Sequence, residues 1–189
     1  MIRFKEYLTK NYKMAESEWA MLYPYAELQQ LKRGEYFVWE GKVCRSMGFI
    51  SEGVMRYLRF EENGEETTCY FLGENDFVGD PESFLSQQPS KINASAITEC
   101  VLVTLSYESY QKISKTFPRF NEIFLDVDIK TSRSLFNQRD LLINRDAAAK
   151  YQAFIEQYPH ILSRVPLSYV ASFLCIAQQS LSRLRKQLS

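Results

Sequence analysis

The chain has 189 residues, 23 basic and 23 acidic, with 46% apolar and 24% charged side chains, the balance of an ordinary soluble globular protein. That length buries a proper core and holds one domain of ordinary size plus a small one. No apolar run approaches a membrane span, and the N-terminal MIRFKEYLTKNYK scatters its charges without a signal-peptide core, which reads as a cytoplasmic protein with no membrane contact.

In chain order, residues 2–12 and 16–23 read as helices, the second with Ser17 as its cap and Trp19, Met21 and Leu22 on its apolar face. All seven glycines (34, 41, 48, 53, 64, 73 and 79) precede residue 80. They separate short segments rich in aromatic and β-branched residues at 35–39, 47–50, 54–60 and 66–71. Glycine turns roughly every 8–12 residues predict an antiparallel roll or barrel. Asn63-Gly64 supplies a hairpin signal, both residues being suited to positive φ. A further strand pair is expected at 92–97 and 99–105.

From Ser106 onward the pattern turns helical. A short helix over 107–116 stops before Pro118, and residues 119 to about 144 read as one long helix without Gly or Pro. Its apolar residues Phe120, Ile123, Phe124, Val127, Leu135, Leu141 and Leu142 recur at three and four, with a polar gap over 130–134. Such a helix is ~37 Å long. That exceeds what the roll covers, so part of its stripe is expected on a second chain; a helix packed wholly on its own domain is the alternative. Another helix spans 146–158 and stops at Pro159.

Residues 166–188, PLSYVASFLCIAQQSLSRLRKQL, read as two short helices joined by a tight turn. Val170 and Leu174 form an i, i+4 pair on the first, and Leu181 and Leu184 an i, i+3 pair on the second, so the two stripes face each other. Ala171 stands at the closest crossing, and Ile176 completes the inner set. Gln178, Gln179, Ser182, Arg183 and Lys186 remain outward, which is base-edge and phosphate chemistry. No Asp or Glu follows Glu156, so residues 157–189 carry +4 and the 19 basic and 23 acidic residues before them leave −4. A basic end on an acidic body suits a polyanion partner, although four charges hold DNA weakly unless a dimer doubles them.

Cys44, Cys69, Cys100 and Cys175 are far apart and include no C-x-x-C. Three lie in strand-like or apolar surroundings, which reads as buried thiols rather than a metal site. His160 is the one histidine, placed to cap a helix C-terminus or to face solvent. One histidine and no acid–histidine cluster argue against an enzyme and against a resident metal or other cofactor.

A glycine-punctuated roll, a long helix and a terminal helix–turn–helix, in that order, resemble the Crp-Fnr family of transcription regulators. In the roll the resemblance rests on LKRGEYFVWEG (31–41), Gly53 after FISE, and NDFVGDPESF (75–84); at the C-terminus it rests on RVPLSYVASFL and SLSRLRKQL. It implies an α+β fold: an antiparallel, jelly-roll-like β-roll sensor domain of cyclic-nucleotide-binding type (1–118), a long dimerisation helix (119–144) and an all-α helix–turn–helix DNA-binding domain (145–189). It also implies a homodimer on double-stranded DNA, with an inverted repeat whose half-sites lie about one helical turn apart, and RNA polymerase as a candidate partner. Mapped onto this chain, Gln178, Gln179 and Arg183 reach base edges, with Ser182 beside them, while Ser168, Arg185 and Lys186 serve phosphates.

Family positions for a bound cyclic nucleotide fall on Gly79 and Asp80, where the resemblance expects Gly-Glu for the ribose, and on Ser90 and Lys91, where it expects an Arg followed by Ser or Thr for the phosphate. Lys91 is a point charge and lacks the bidentate fork of Arg. The expected effector is therefore a small molecule other than cyclic AMP, or none, and neither haem nor an iron–sulfur cluster has ligands here. Cys175 replaces the family's left-handed Gly, and Ala177 its Ser or Thr cap, each costing roughly 1 kcal/mol. A ligand-binding or interaction module whose helix–turn–helix no longer binds DNA is the alternative reading.

Overall fold

In the computed structural model, which describes residues 1–188, the glycine-punctuated stretch forms a roll of two four-stranded antiparallel sheets. One sheet orders β1 (Ala26–Leu31), β8 (Cys100–Ser106), β3 (Ser46–Glu52) and β6 (Phe77–Val78). The other orders β2 (Tyr36–Val38), β7 (Asn93–Ala96), β4 (Met55–Phe60) and β5 (Glu66–Leu72). Val38, Ile50, Met55, Leu72, Val78 and Leu102 turn inward and form one buried core. The fold class is α+β, as the resemblance implies.

Two strands carry no signal that sequence reading used. In β1, Leu28 is exposed and Leu31 buried among Glu27, Gln29 and Gln30; it is ordered by its ladder with β8, Ala26 opposite Leu105 through Leu31 opposite Cys100. β6 is two residues long and pairs Phe77 with Phe49 and Val78 with Gly48. The hairpin between β4 and β5 also departs from expectation. Gly64 has positive φ (80°) and Asn63 does not, and Glu61 N–H reaches the Glu65 carbonyl at 2.9 Å. This is a three-residue loop with glycine at the left-handed position, not a two-residue turn.

Helices α1 (Ile2–Tyr12) and α2 (Glu16–Leu22) close one face of the roll, burying Leu8, Trp19 and Leu22 with Ile113, Phe117 and Phe120. The start of α2 is not capped by Ser17. Glu18 folds back to accept from the Ala15 N–H at 2.8 Å, and the same carboxylate takes Arg119. Asp80 caps α3 (Pro81–Ser86) by accepting from Ser83 N–H at 3.1 Å, and Ser106 caps α4 (Tyr107–Thr116) in the same way through Ser109.

Pro118 opens the long helix α5 (Pro118–Asp140), where its missing N–H costs nothing. The helix ends four residues before the expected Asn144, which takes a left-handed φ of 53°, and Asp146 then caps α6 (Ala147–Gln157). At 23 residues it is ~35 Å long. A single turn of helix, α7 (Pro159–Leu162), precedes the terminal pair α8 (Leu167–Leu174) and α9 (Gln178–Leu188). No described helix is long and apolar enough to cross a membrane.

Gly53 sits where a side chain would run into backbone, which cannot swing aside. Its φ is 107°, and an added Cβ would lie 2.5 Å from both Cys100 Sγ and the Glu99 carbonyl. Gly64 has a similar φ but open space around it. Gly53→Ala is therefore expected to cost more than ~2 kcal/mol and Gly64→Ala only ~1 kcal/mol. Urea unfolding of the two variants checks this, and equal losses would show that strain alone, without the clash, sets both.

Candidate nucleic-acid interface and effector cavity

The terminal helices meet through the residues that the periodicity selects. Val170, Ala171, Leu174 and Leu181 are buried with Tyr151 and Phe154 of α6, and Ile176 and Leu184 pack against that cluster. Cys175 adopts φ 54°, ψ 45° between them, left-handed as its position requires. The Cys175 N–H reaches the Ser172 carbonyl and the Ile176 N–H the Ala171 carbonyl, each at 3.1 Å, which closes the end of α8. Ala177 precedes α9 and lends its carbonyl to Leu181 N–H at 3.0 Å, but it has no hydroxyl to cap the helix.

Gln178, Gln179, Arg183, Arg185 and Lys186 are exposed on α9, and Ser182 is half-buried. One helix surface thus carries six of the seven residues singled out for DNA. The seventh, Ser168, is half-buried in the first turn of α8 and lines a cleft together with Gln178. The opposite side of that cleft is the β4–β5 hairpin, with Arg59, Glu61, Glu65 and Glu66. Carboxylates therefore face the end of α9 that carries Gln178.

The terminal helices are held to the roll by contacts that sequence reading did not find. Strand β5 is an edge strand, and its Thr68 N–H donates to Ser172 Oγ of α8 at 2.9 Å. Phe71 of the same strand exchanges two hydrogen bonds with the Gln138 side chain of α5, at 3.1 and 2.9 Å. Arg56, buried in β4, bonds Glu66 and Thr68 and stacks its guanidinium 3.8 Å from the Tyr169 ring centroid. Phe71 packs its ring on Phe154 and Phe173, with centroids 5.7 and 5.3 Å away.

Arg164 adds a two-pronged bond to Glu74, at 2.9 and 2.7 Å. Burial pushes the Glu74 carboxyl up, but hydrogen bonds from Arg164 and from Gly53 N–H override it and hold the group at about 2.

The thiols divide by location. Cys44 and Cys100 are buried and Cys69 half-buried, and their burial raises all three, while Cys175 at the turn is exposed. His160 is exposed on α7.

The four residues singled out for an effector separate into two pairs. Asp80 and Ser90 are buried and bonded to each other, Ser90 Oγ donating to Asp80 Oδ2 at 2.7 Å. Gly79 and Lys91 line a cavity of about 370 Å³ between the roll and α5. The Lys91 side chain is mostly exposed and pairs with Glu82 at 3.5 Å. The Gly79 carbonyl accepts from the Tyr57 hydroxyl at 2.8 Å.

Helix α5 presents two apolar stripes. The residues chosen from the sequence turn toward the chain's own body: Phe120 and Ile123 are buried, and Phe124, Val127 and Leu135 half-buried. Leu125, Ile129 and Phe136 form a second stripe that is 55–65% exposed. Spacings of four and seven residues, read separately from the inner stripe, carry the signal that would have found it.

Comparison with known proteins places this geometry. Residues 28–117 match the family profile of the cyclic nucleotide-binding domain. FixK2 from Bradyrhizobium japonicum superposes with a TM-score of 0.74 at 15% identity, covering 86% of this chain and 84% of that one. The c-di-GMP-responsive global regulator CLP from Xanthomonas campestris gives 0.66 at 17% identity, with 89% of each chain covered. A protein from Eubacterium rectale, provisionally assigned as a Crp/Fnr-family transcriptional regulator, gives 0.73 at 13%, covering 96% of this chain and 87% of that one. No curated protein matches the sequence.

Glu74 generates a pH test. Its folded value lies below the ordinary carboxylate value of 4.5, so its contribution is complete above that pH and is lost as pH falls toward about 2. Glu74→Gln should be ~1.5–3 kcal/mol less stable than the parent at neutral pH, and the two unfolding curves should converge between pH 4.5 and 2; a gap that persists there would remove the carboxylate from the account. Cys175→Gly relieves a left-handed side chain at an exposed turn and should stabilise the chain by ~0.5–1 kcal/mol in thermal unfolding, the gain being reduced by glycine's freedom when unfolded.

Proposed function

We propose that this chain, which has the fold of the Crp/Fnr regulators with a cyclic nucleotide-binding-type roll over residues 28–117, is a homodimeric, sequence-specific DNA-binding transcription regulator. In this reading residues 1–118 sense, 119–144 dimerise and 145–189 bind DNA. The observation that carries it is α9: an inner stripe buried against α8 and an outer face of Gln178, Gln179, Arg183 and Lys186 left in solvent. Arg matches guanine O6 and N7, and Gln matches adenine N6 and N7. Ser168, at the start of α8, and Arg185 and Lys186, further along α9, suit phosphates. The stripe of Leu125, Ile129 and Phe136 suits a second α5, which doubles the four positive charges of each reading domain.

The same reading makes cyclic nucleotide an unsuitable effector. Asp80 and Ser90 satisfy each other, Lys91 points to solvent beside Glu82, and no arginine stands at the phosphate position. The protein answers to another small molecule, or to none.

A second reading, an interaction module that has lost DNA, is favoured by the turn: a non-glycine residue at positive φ and no capping hydroxyl at Ala177. Selection of bound fragments from a random DNA pool separates the two. An enriched inverted repeat with half-sites about 10 base pairs apart is the expected result, and no enrichment with or without cell-extract metabolites favours the module. On the selected site, Arg183→Ala should lose ~1–3 kcal/mol and relax one base position; equal binding of all sequences by both proteins would sink the assignment. Phe136→Glu should convert the dimer to monomer in analytical ultracentrifugation, and an unchanged sedimentation coefficient would place the dimer elsewhere.

A further inference from the structure

The cavity between the roll and α5, about 370 Å³, lies within the range of small-molecule sites. Its wall is largely aromatic and aliphatic, with Phe49, Tyr70, Phe77, Phe124 and Leu135 contributing. The phenolic and cationic groups that an anion would need are engaged elsewhere, which leaves the Thr131 and Ser132 hydroxyls of α5 as side-chain donors. The Tyr57 hydroxyl is spent on Gly79, Arg59 pairs with Glu61, and Lys91 pairs with Glu82. Both basic side chains are mostly exposed, so they mark the mouth rather than the interior.

The charged side chain that α5 adds to this lining is of the opposite sign. Asp128 is half-buried there, with no hydrogen bond or ion pair among the described residues, and Thr131 follows it three residues later on the same face. A carboxylate in apolar surroundings without a partner repels phosphate and is relieved by any O–H or N–H that reaches it. Burial already raises the Asp128 carboxyl above its ordinary value.

We infer that this cavity binds an apolar small molecule carrying a hydrogen-bond donor, a hydroxyl or an amine, with Asp128 as the acceptor, and that it excludes anions such as nucleotides. The apolar wall supplies most of the affinity through area removed from water. Asp128 supplies orientation and the discrimination against negative charge. The regulatory use of the ligand rests on the transcription-regulator reading above; its binding does not.

The test uses two dyes with one skeleton. N-phenyl-1-naphthylamine is uncharged and carries one N–H; 8-anilinonaphthalene-1-sulfonate adds a sulfonate. Fluorescence titration of the full chain should show saturable binding of the uncharged dye, at least about tenfold tighter than the sulfonate, and no displacement by excess cyclic AMP. Thr131→Trp and Leu135→Trp each fill the cavity from α5 and should weaken the uncharged dye about tenfold or more, with circular dichroism and sedimentation unchanged. Asp128→Asn should retain the uncharged dye and narrow the gap between the two dyes, because only the negative charge is removed. No saturable binding of the uncharged dye, binding that survives both tryptophan variants in folded protein, or equal affinity for the sulfonate would overturn the inference. Saturable binding of the uncharged dye by a protein that selects no DNA sequence supports the cavity's chemistry and counts only against the regulator reading.

Discussion

The open edge of β5 is the constraint on which the rest of the arrangement depends. An edge strand presents unpaired N–H and C=O groups that must meet water or a partner. Here Gln138 of α5 takes both backbone groups of Phe71, and Ser172 of α8 takes the N–H of Thr68. A β-bulge places the two sites three residues apart: Tyr57 pairs with Tyr70 and Leu58 with Thr68, so Cys69 is the extra residue. The sheet edge is thereby closed by the long helix and the terminal pair rather than by another strand. Gln138 is 2% exposed, and a buried amide with both ends satisfied fixes α5 against the sheet more narrowly than apolar packing does.

From that edge the apolar seam follows. Phe71 projects from β5 into Phe154 and Phe173, and Val54 and Ile97 of the roll share a cluster with Leu141, Ile161 and Leu174. The helix–turn–helix therefore draws part of its core from the roll. Truncating one such ring typically costs ~3–5 kcal/mol, a large share of the stability of a chain this size. The Arg164–Glu74 pair and the stack of buried Arg56 on Tyr169 lie around this seam and add polar contacts between the roll and the terminal helices.

This docking has an electrostatic consequence for α9. The positive terminal segment lies beside the acidic hairpin, so Glu61, Glu65 and Glu66 share a cleft with Ser168 and Gln178. A polyanion entering that cleft meets like charge, whereas Arg183 and Lys186 lie further along α9. The exposed stripe of α5 is a separate surface, so docking of the terminal helices on the roll makes no demand on Leu125, Ile129 or Phe136.

Most element types, the order of roll, long helix and paired helices, and the inner stripe of α8 and α9 were legible in the sequence alone. Each of these is a local periodicity or a turn residue that neighbours along the chain already define. The left-handed turn at Cys175 was expected from the family resemblance, since no glycine marks it, and the folded chain adopts it. Tertiary structure alone decided the rest. β1 is a strand because β8 lies beside it, and polar Glu27, Gln29 and Gln30 give no alternation to read. Gln138, Ser172, Arg56 and Glu74 are polar residues whose partners lie tens of residues away, and a polar side chain carries no sign of whether it meets water or a strand edge. Asp80 and Ser90 sat at positions suited to a ligand, and only the folded chain showed them facing each other. The inward and outward stripes of α5 overlap in one sequence, and which of them stays exposed is set by the body against which the helix lies.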